Sequence, residues 1–262
     1  MFVRFLIVTT ALFFLAGCDP PKKGGAANSS NSNSNAPALS FSPPDPIKPS
    51  SAIDPNFKAV NPYFPLVPGS TLKYRLQYSS PVAANVIVVV DSVEENGKRI
   101  FKQTWQIVDT GGGDEKNENT VRSYVLEGDN VQQVAEKTEN LYHGQKTASE
   151  LKFVKEAAAM PGLSSLRPGA TWSQSFRQIF QIANQQPIAE DRTVTVSFKV
   201  AGTEDVMVPA GKFKALKVTR SVTGNKLEIY EYYVQGLGLV KREGGDGTRL
   251  ELTEYNGLKP LN

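Results

Sequence analysis

One cysteine and one histidine in 262 residues rule out several chemistries at once. A disulfide framework needs paired cysteines, and a structural zinc site needs several Cys or His ligands at set spacings. Neither exists here, so no metal is expected. Any catalytic triad would have to be built on His143, and no serine lies in a G-x-S-x-G elbow. Gly111-Gly112-Gly113 follows a strand-like stretch but opens no helix, so it does not cradle phosphate, and no cofactor is expected. Asp109 to Glu118 is acidic but lacks the ligand spacing of a calcium hand. The formal charge is only +3, with Lys and Arg scattered, which gives no electrostatic case for nucleic acid. No apolar run is long enough to read as a spanning helix.

The chain's first apolar run has a different use. Phe5 to Phe14 follows the single charge of Arg4 and ends in Leu15-Ala16-Gly17-Cys18. A basic head, an apolar core and small residues before a cut make a secretory signal peptide over residues 1–17. The cleavage region resembles the lipobox of bacterial lipoproteins. That resemblance implies that Cys18 becomes the acylated first residue of the mature chain, with two or more acyl chains holding it in a membrane. The expected location is the cell envelope, facing the periplasm or, in a host with one membrane, the exterior. Asp19 resembles the signal that keeps such proteins in the inner membrane of enteric bacteria.

Residues 18–58 read as a lipid anchor and linker. Asn28 to Asn35 alternates Asn and Ser, and Pro37, Pro43, Pro44, Pro46, Pro49 and Pro55 follow. Such a segment buries too little apolar surface to offset its ordering entropy, so it is expected to be disordered.

From residue 59 to 262 the pattern becomes that of one β domain. Leu72, Tyr74, Leu76 and Tyr78 alternate with polar residues, as do Val194, Val196, Phe198 and Val200. Asn96-Gly97 and Glu127-Gly128-Asp129-Asn130 mark hairpins, and Tyr63-Phe64 is placed as a lid at one end of the core. Thr147 to Ala159 fits either a helix or, at Leu151 to Val154, a strand. The fold class is therefore mainly β: a curved antiparallel sheet, as an open or closed barrel, with a sandwich as the alternative.

An internal echo runs through this domain. Leu66-x-Pro68-Gly69-x-Thr71-Leu72 returns as Leu166-x-Pro168-Gly169-x-Thr171-Trp172, and Tyr124-Val125-x-x-Gly128 as Tyr232-Tyr233-Val234-Gln235-Gly236. This marks a candidate duplication with halves 66–165 and 166–256, set against the shared turn vocabulary of all β meanders.

Tyr63-Phe64-Pro65-Leu66-x-Pro68-Gly69, Val206-x-Val208-Pro209-Ala210-Gly211-x-Phe213 and Gly236-Leu237-Gly238-Leu239-Val240 together resemble a recurring group of uncharacterised bacterial lipoproteins and secreted proteins, over most of residues 61–256. The topology this implies is similar to the partly open sheets of lipoprotein-carrier proteins. The chain departs from those carriers in lacking an obvious helical plug.

Two function classes follow. The first is a non-enzymatic envelope binding or interaction module, held to the membrane by its anchor and meeting an envelope protein or an apolar ligand. Its candidate contact row is Tyr230, Tyr232 and Tyr233, set against ordinary half-buried packing. The alternative is a carboxylate-dependent hydrolase of the envelope using Glu94-Glu95 or Glu190-Asp191, both at turns where solvated charge is common.

Overall fold

Pro68-Gly69 and Pro168-Gly169 each turn the chain into the first strand of a six-stranded half. A computed structural model describes residues 45–79, 83–109, 116–142, 145–153, 157–182, 188–189 and 193–261. The first half carries β1 (Thr71–Gln77), β2 (Ala83–Glu95), β3 (Lys98–Asp109), β4 (Lys116–Glu127), β5 (Asn130–Tyr142) and β6 (Gln145–Phe153), followed by the short β7 (Ala157–Met160). The second carries β8 (Thr171–Ile182), the two-residue β9 (Ile188–Ala189), β10 (Val194–Val208), β11 (Gly211–Val222), β12 (Ile229–Val234), β13 (Gly238–Gly244) and β14 (Arg249–Asn256). Successive strands pair antiparallel within each half, β6 pairs β8, and β14 pairs β1. The ring of twelve strands therefore closes, with β7 on β5 and β9 on β8 lying off it. The stretch that fits helix or strand equally is β6 and β7.

The two Pro-Gly turns make matching hydrogen bonds. Gly69 N donates to Val90 O at 2.8 Å and Val90 N to Ser70 O at 3.1 Å; Gly169 N donates to Val200 O at 2.8 Å and Val200 N to Ala170 O at 2.9 Å. Both glycines sit at positive φ, 85° and 86°, which a side chain would strain. The register shifts between Ser123 and Tyr124 against β5, and between Tyr232 and Tyr233 against β13. Tyr124 thus corresponds to Tyr233, one residue off the match suggested by the Gly128 and Gly236 turns. The second turn holds one more unpaired residue.

Alternation decides which face turns inward. Leu72, Tyr74 and Leu76 of β1, Val86, Val88 and Val90 of β2, and Val194, Val196, Phe198 and Val200 of β10 are all buried. Leu216 and Val218 join the same layer from β11, with Val218 opposite Val200. Tyr74 stacks on Trp105 with centroids 5.7 Å apart. The opposite face carries Lys73, Arg75, Lys137 and Lys199 in solvent. This is the reverse of a membrane-spanning barrel, whose apolar band faces outward. Among the described residues no helix is long and apolar enough to cross a membrane.

One end of the barrel is closed by residues 61–66. Asn61, 1% exposed, donates through Nδ2 to the carbonyls of Asp129 and Pro161, each at 2.9 Å, while Pro62 O accepts from Gly236 N at 2.7 Å. Phe64 packs edge-on against Tyr124 at 5.2 Å. Asn61→Ala is expected to cost about 1–3 kcal/mol, because two carbonyls lose their donor where water is excluded. A shifted denaturant midpoint at unchanged slope checks this.

Residues 45–58, expected as the last part of the disordered linker, instead lie against the barrel. Ser50 N and Ser51 N both donate to Asp91 Oδ1 at 2.9 Å, and Ile47 N donates to Gln106 Oε1 at 3.1 Å. Phe57 meets Phe101 edge-on at 6.1 Å. Backbone polar groups and one ring thus hold a segment whose composition carries no periodicity. Cys18, His143 and Glu190-Asp191 lie outside the described residues.

Candidate functional site: a charged cluster inside the barrel

On β4, Thr120, Arg122 and Tyr124 share the inward face; on β12, Ile229, Glu231 and Tyr233 do. Arg122 and Glu231 thus put a charge of each sign into the core, and Glu118 adds a further buried carboxylate on β4. Arg122 lies directly opposite Glu136 of β5, and its Nε donates to Glu136 Oε2 at 2.9 Å. Glu231 lies directly opposite Arg242 of β13, whose Nε donates to Glu231 Oε1 at 2.9 Å. These are corresponding positions in the two halves, occupied with opposite polarity. Arg220 of β11 adds a third guanidinium, its Nη1 3.6 Å from Glu231 Oε1.

The surroundings complete this arrangement. Gln133 Nε2 donates to Glu136 Oε2 at 2.9 Å, and the Tyr233 hydroxyl donates to Glu231 Oε2 at 2.8 Å. The Arg122 guanidinium lies 5.0 Å from the centre of the Trp105 ring. Burial alone would raise the Glu231 pKa. Arg242, Arg220 and the Tyr233 hydroxyl more than offset this and hold its carboxyl below the usual carboxylate range. Burial likewise opposes the charge of Arg122, but Glu136 keeps it above its ordinary value. Burial and the neighbouring carboxylate push the Tyr233 phenol well up. These shifts hold Glu231 and Arg122 in their charged forms. The cluster sets fixed charges of both signs against each other inside the barrel.

The predicted tyrosine row divides between the two faces of β12. Tyr233 faces the cluster. Tyr230 and Tyr232 face outward, where Lys217 Nζ lies 5.0 and 5.4 Å from their ring centres and Lys241 Nζ 5.6 Å from that of Tyr232. The Tyr230 hydroxyl donates to Glu228 at 2.8 Å and that of Tyr232 to Glu243 at 3.2 Å. Glu94 and Glu95 sit on the β2–β3 hairpin in exposed pairs with Arg99 and Lys102. Among the described residues no three His, Cys, Asp or Glu side chains group as metal ligands. The charged cluster itself was missed by motif searching. The signal that could have found it is a charge on the apolar phase of a strand, as at Glu231 between Ile229 and Tyr233.

The fold and its core define a closed antiparallel barrel with a polar, ionised centre. The chain belongs to the DUF3108-like family, whose profile matches residues 69–251, from the turn before β1 to β14. No curated protein matches it in sequence. Among solved structures it is similar to a Bacteroides fragilis protein described as exported, with a YmcC-like fold: 13% identity, 74% of this chain and 98% of that one covered, TM-score 0.43. It is also similar to a Parabacteroides distasonis protein described as a lipoprotein: 12% identity, 76% and 100% covered, TM-score 0.39.

Proposed function

We propose that this chain is a lipid-anchored lipoprotein of the bacterial cell envelope, whose barrel acts as a non-catalytic binding or interaction module on a tether. The observation that carries the reading is Leu15-Ala16-Gly17-Cys18 at the end of the apolar run Phe5 to Phe14. The charged outer face of the barrel supports it: the domain belongs in water, and the membrane attachment must come from elsewhere. The cluster, in which Glu231 is held below the usual carboxylate range and Arg122 above its ordinary value, supports binding over catalysis.

Expression with labelled palmitate tests the anchor. Label is expected in the wild type, in the membrane fraction, and absent from Cys18→Ser, which moves to the soluble fraction. Equal labelling of both would overturn the reading. In a host of the enteric type, separating inner from outer membrane then tests Asp19, which there resembles the signal for the inner one.

A further inference from the structure

In the repeated frame each half contributes one arginine and one glutamate to the cluster, a balanced arrangement. Arg220 is surplus to it. The pairing of β3 with β4 sets Gln103 opposite Arg122 and Trp105 opposite Thr120; that of β11 with β12 sets Val218 opposite Glu231 and Arg220 opposite Ile229. Arg220 therefore stands where the first half has Trp105. Its nearest carboxylate oxygen, Glu231 Oε1, already accepts from Arg242 Nε and lies 2.9 Å from Arg242 Nη2. Its own Nε has no partner. Gln178 Nε2, another buried donor facing the same core, also has none.

Exposure within the cluster is uneven in a telling way. The side chains of Arg122, Arg220 and Arg242 keep 16%, 13% and 14% of their surface open, against 6% for Glu136 and 3% for Glu231. The cations of the cluster thus keep more of their surface open than its carboxylates do. One acceptor, Glu136 Oε1, is also without a partner, but it sits beside Arg122, which neutralises it. Glu118, the next inward carboxylate on β4, stands about 13 Å from Arg122 along the strand. Burial lowers the Arg220 pKa, and the like charges of Arg242 and Arg122 lower it further against the pull of Glu231.

We propose that Arg220, with Arg122 and Arg242 beside it, receives one anionic group inside the barrel, a phosphate or a carboxylate. Arginine suits this role because it stays ionised and offers a planar fork of donors that matches such oxyanions. A buried cation in excess of its partners is costly by itself, and an anion converts that cost into affinity. This assigns a ligand class to the binding module proposed above and rests on that reading. The two tests are separate: a failed titration leaves acylation untouched, and failed labelling leaves the titration untouched.

The test is thermal unfolding of the whole chain carrying Cys18→Ser, with inorganic phosphate, acetate or a short-chain phosphatidic acid below its micelle concentration as probes. Ionic strength is held constant with sodium chloride, so that general screening does not contribute. The Tm is expected to rise by about 3–5 °C per tenfold increase in probe above its Kd. Acetate acting alone assigns a carboxylate, inorganic phosphate a free phosphate, and phosphatidic acid acting at lower concentration a lipid headgroup. The rise should vanish in Arg220→Gln and persist in Arg249→Gln, whose side chain is 49% exposed on the outer surface. If Arg220→Gln does not fold, Arg220→Lys serves instead, with an onset shifted roughly tenfold by loss of the fork. A flat Tm with every probe, or a rise that neither Arg220 variant alters, overturns the proposal.

Discussion

Glu231→Gln is expected to destabilise the barrel by about 3–5 kcal/mol, the cost of leaving buried cations without their counter-charge. Glu231 is 2% exposed and serves both Arg242 and Arg220, so no single side chain in the cluster is shared more widely. The comparison is Glu254→Gln, which breaks a shorter contact, 2.6 Å from Lys73, on solvent-exposed side chains. That change should cost less than about 1 kcal/mol, because water and salt screen the pair. Distance alone predicts the opposite order, so burial is what the experiment measures. The pH dependence has a definite sign. A carboxylate whose pKa is depressed on folding adds stability at neutral pH, and this is lost as the pH falls below about 4.5 through the folded value. The stabilities of wild type and Glu231→Gln should therefore converge in acid. Denaturant melts between neutral and acid pH decide it; parallel curves, or a neutral-pH loss no larger than that of Glu254→Gln, contradict the account.

Phe198→Ala is expected to cost about 3–5 kcal/mol, through lost burial and the cavity left behind. The Phe198 ring is stacked on Trp172 with centroids 5.1 Å apart at 9°, and the Arg220 guanidinium lies 6.0 Å from its centre. Removing it strips an apolar wall from the core and one face of contact from the surplus arginine. Lys199→Ala, one residue on, should cost less than about 0.5 kcal/mol, since that side chain stands in solvent. The pair tests the face of β10 directly, because a one-residue slip would exchange the two environments. If Lys199→Ala proves the more damaging, the register is wrong.

The sequence by itself determined most of the strands, though not β6 and β7, together with most of the turns and the inward face of β10. These are local properties: a period of two needs only neighbouring residues, and Asn96, at φ 52°, and Gly97, at φ 73°, supply their own turn geometry. The matching turns at Pro68-Gly69 and Pro168-Gly169 were legible for the same reason, since a Pro-Gly turn carries its conformation in its own residues. Three outcomes were left to the tertiary structure. Closure of the ring rests on seams such as Leu76 with Leu250 and Leu151 with Gln178, and the first of these joins residues at opposite ends of the domain. Residues 45–58 have little periodicity, and what holds them, Asp91, Gln106 and Phe101, lies on other strands. The charged cluster looked like ordinary surface composition, because a lone Arg122 or Glu231 reads as solvated until its strand's face is known. Only when β4, β5, β11, β12 and β13 turn the same way do those charges meet, and burial, which no residue carries alone, makes them interact strongly.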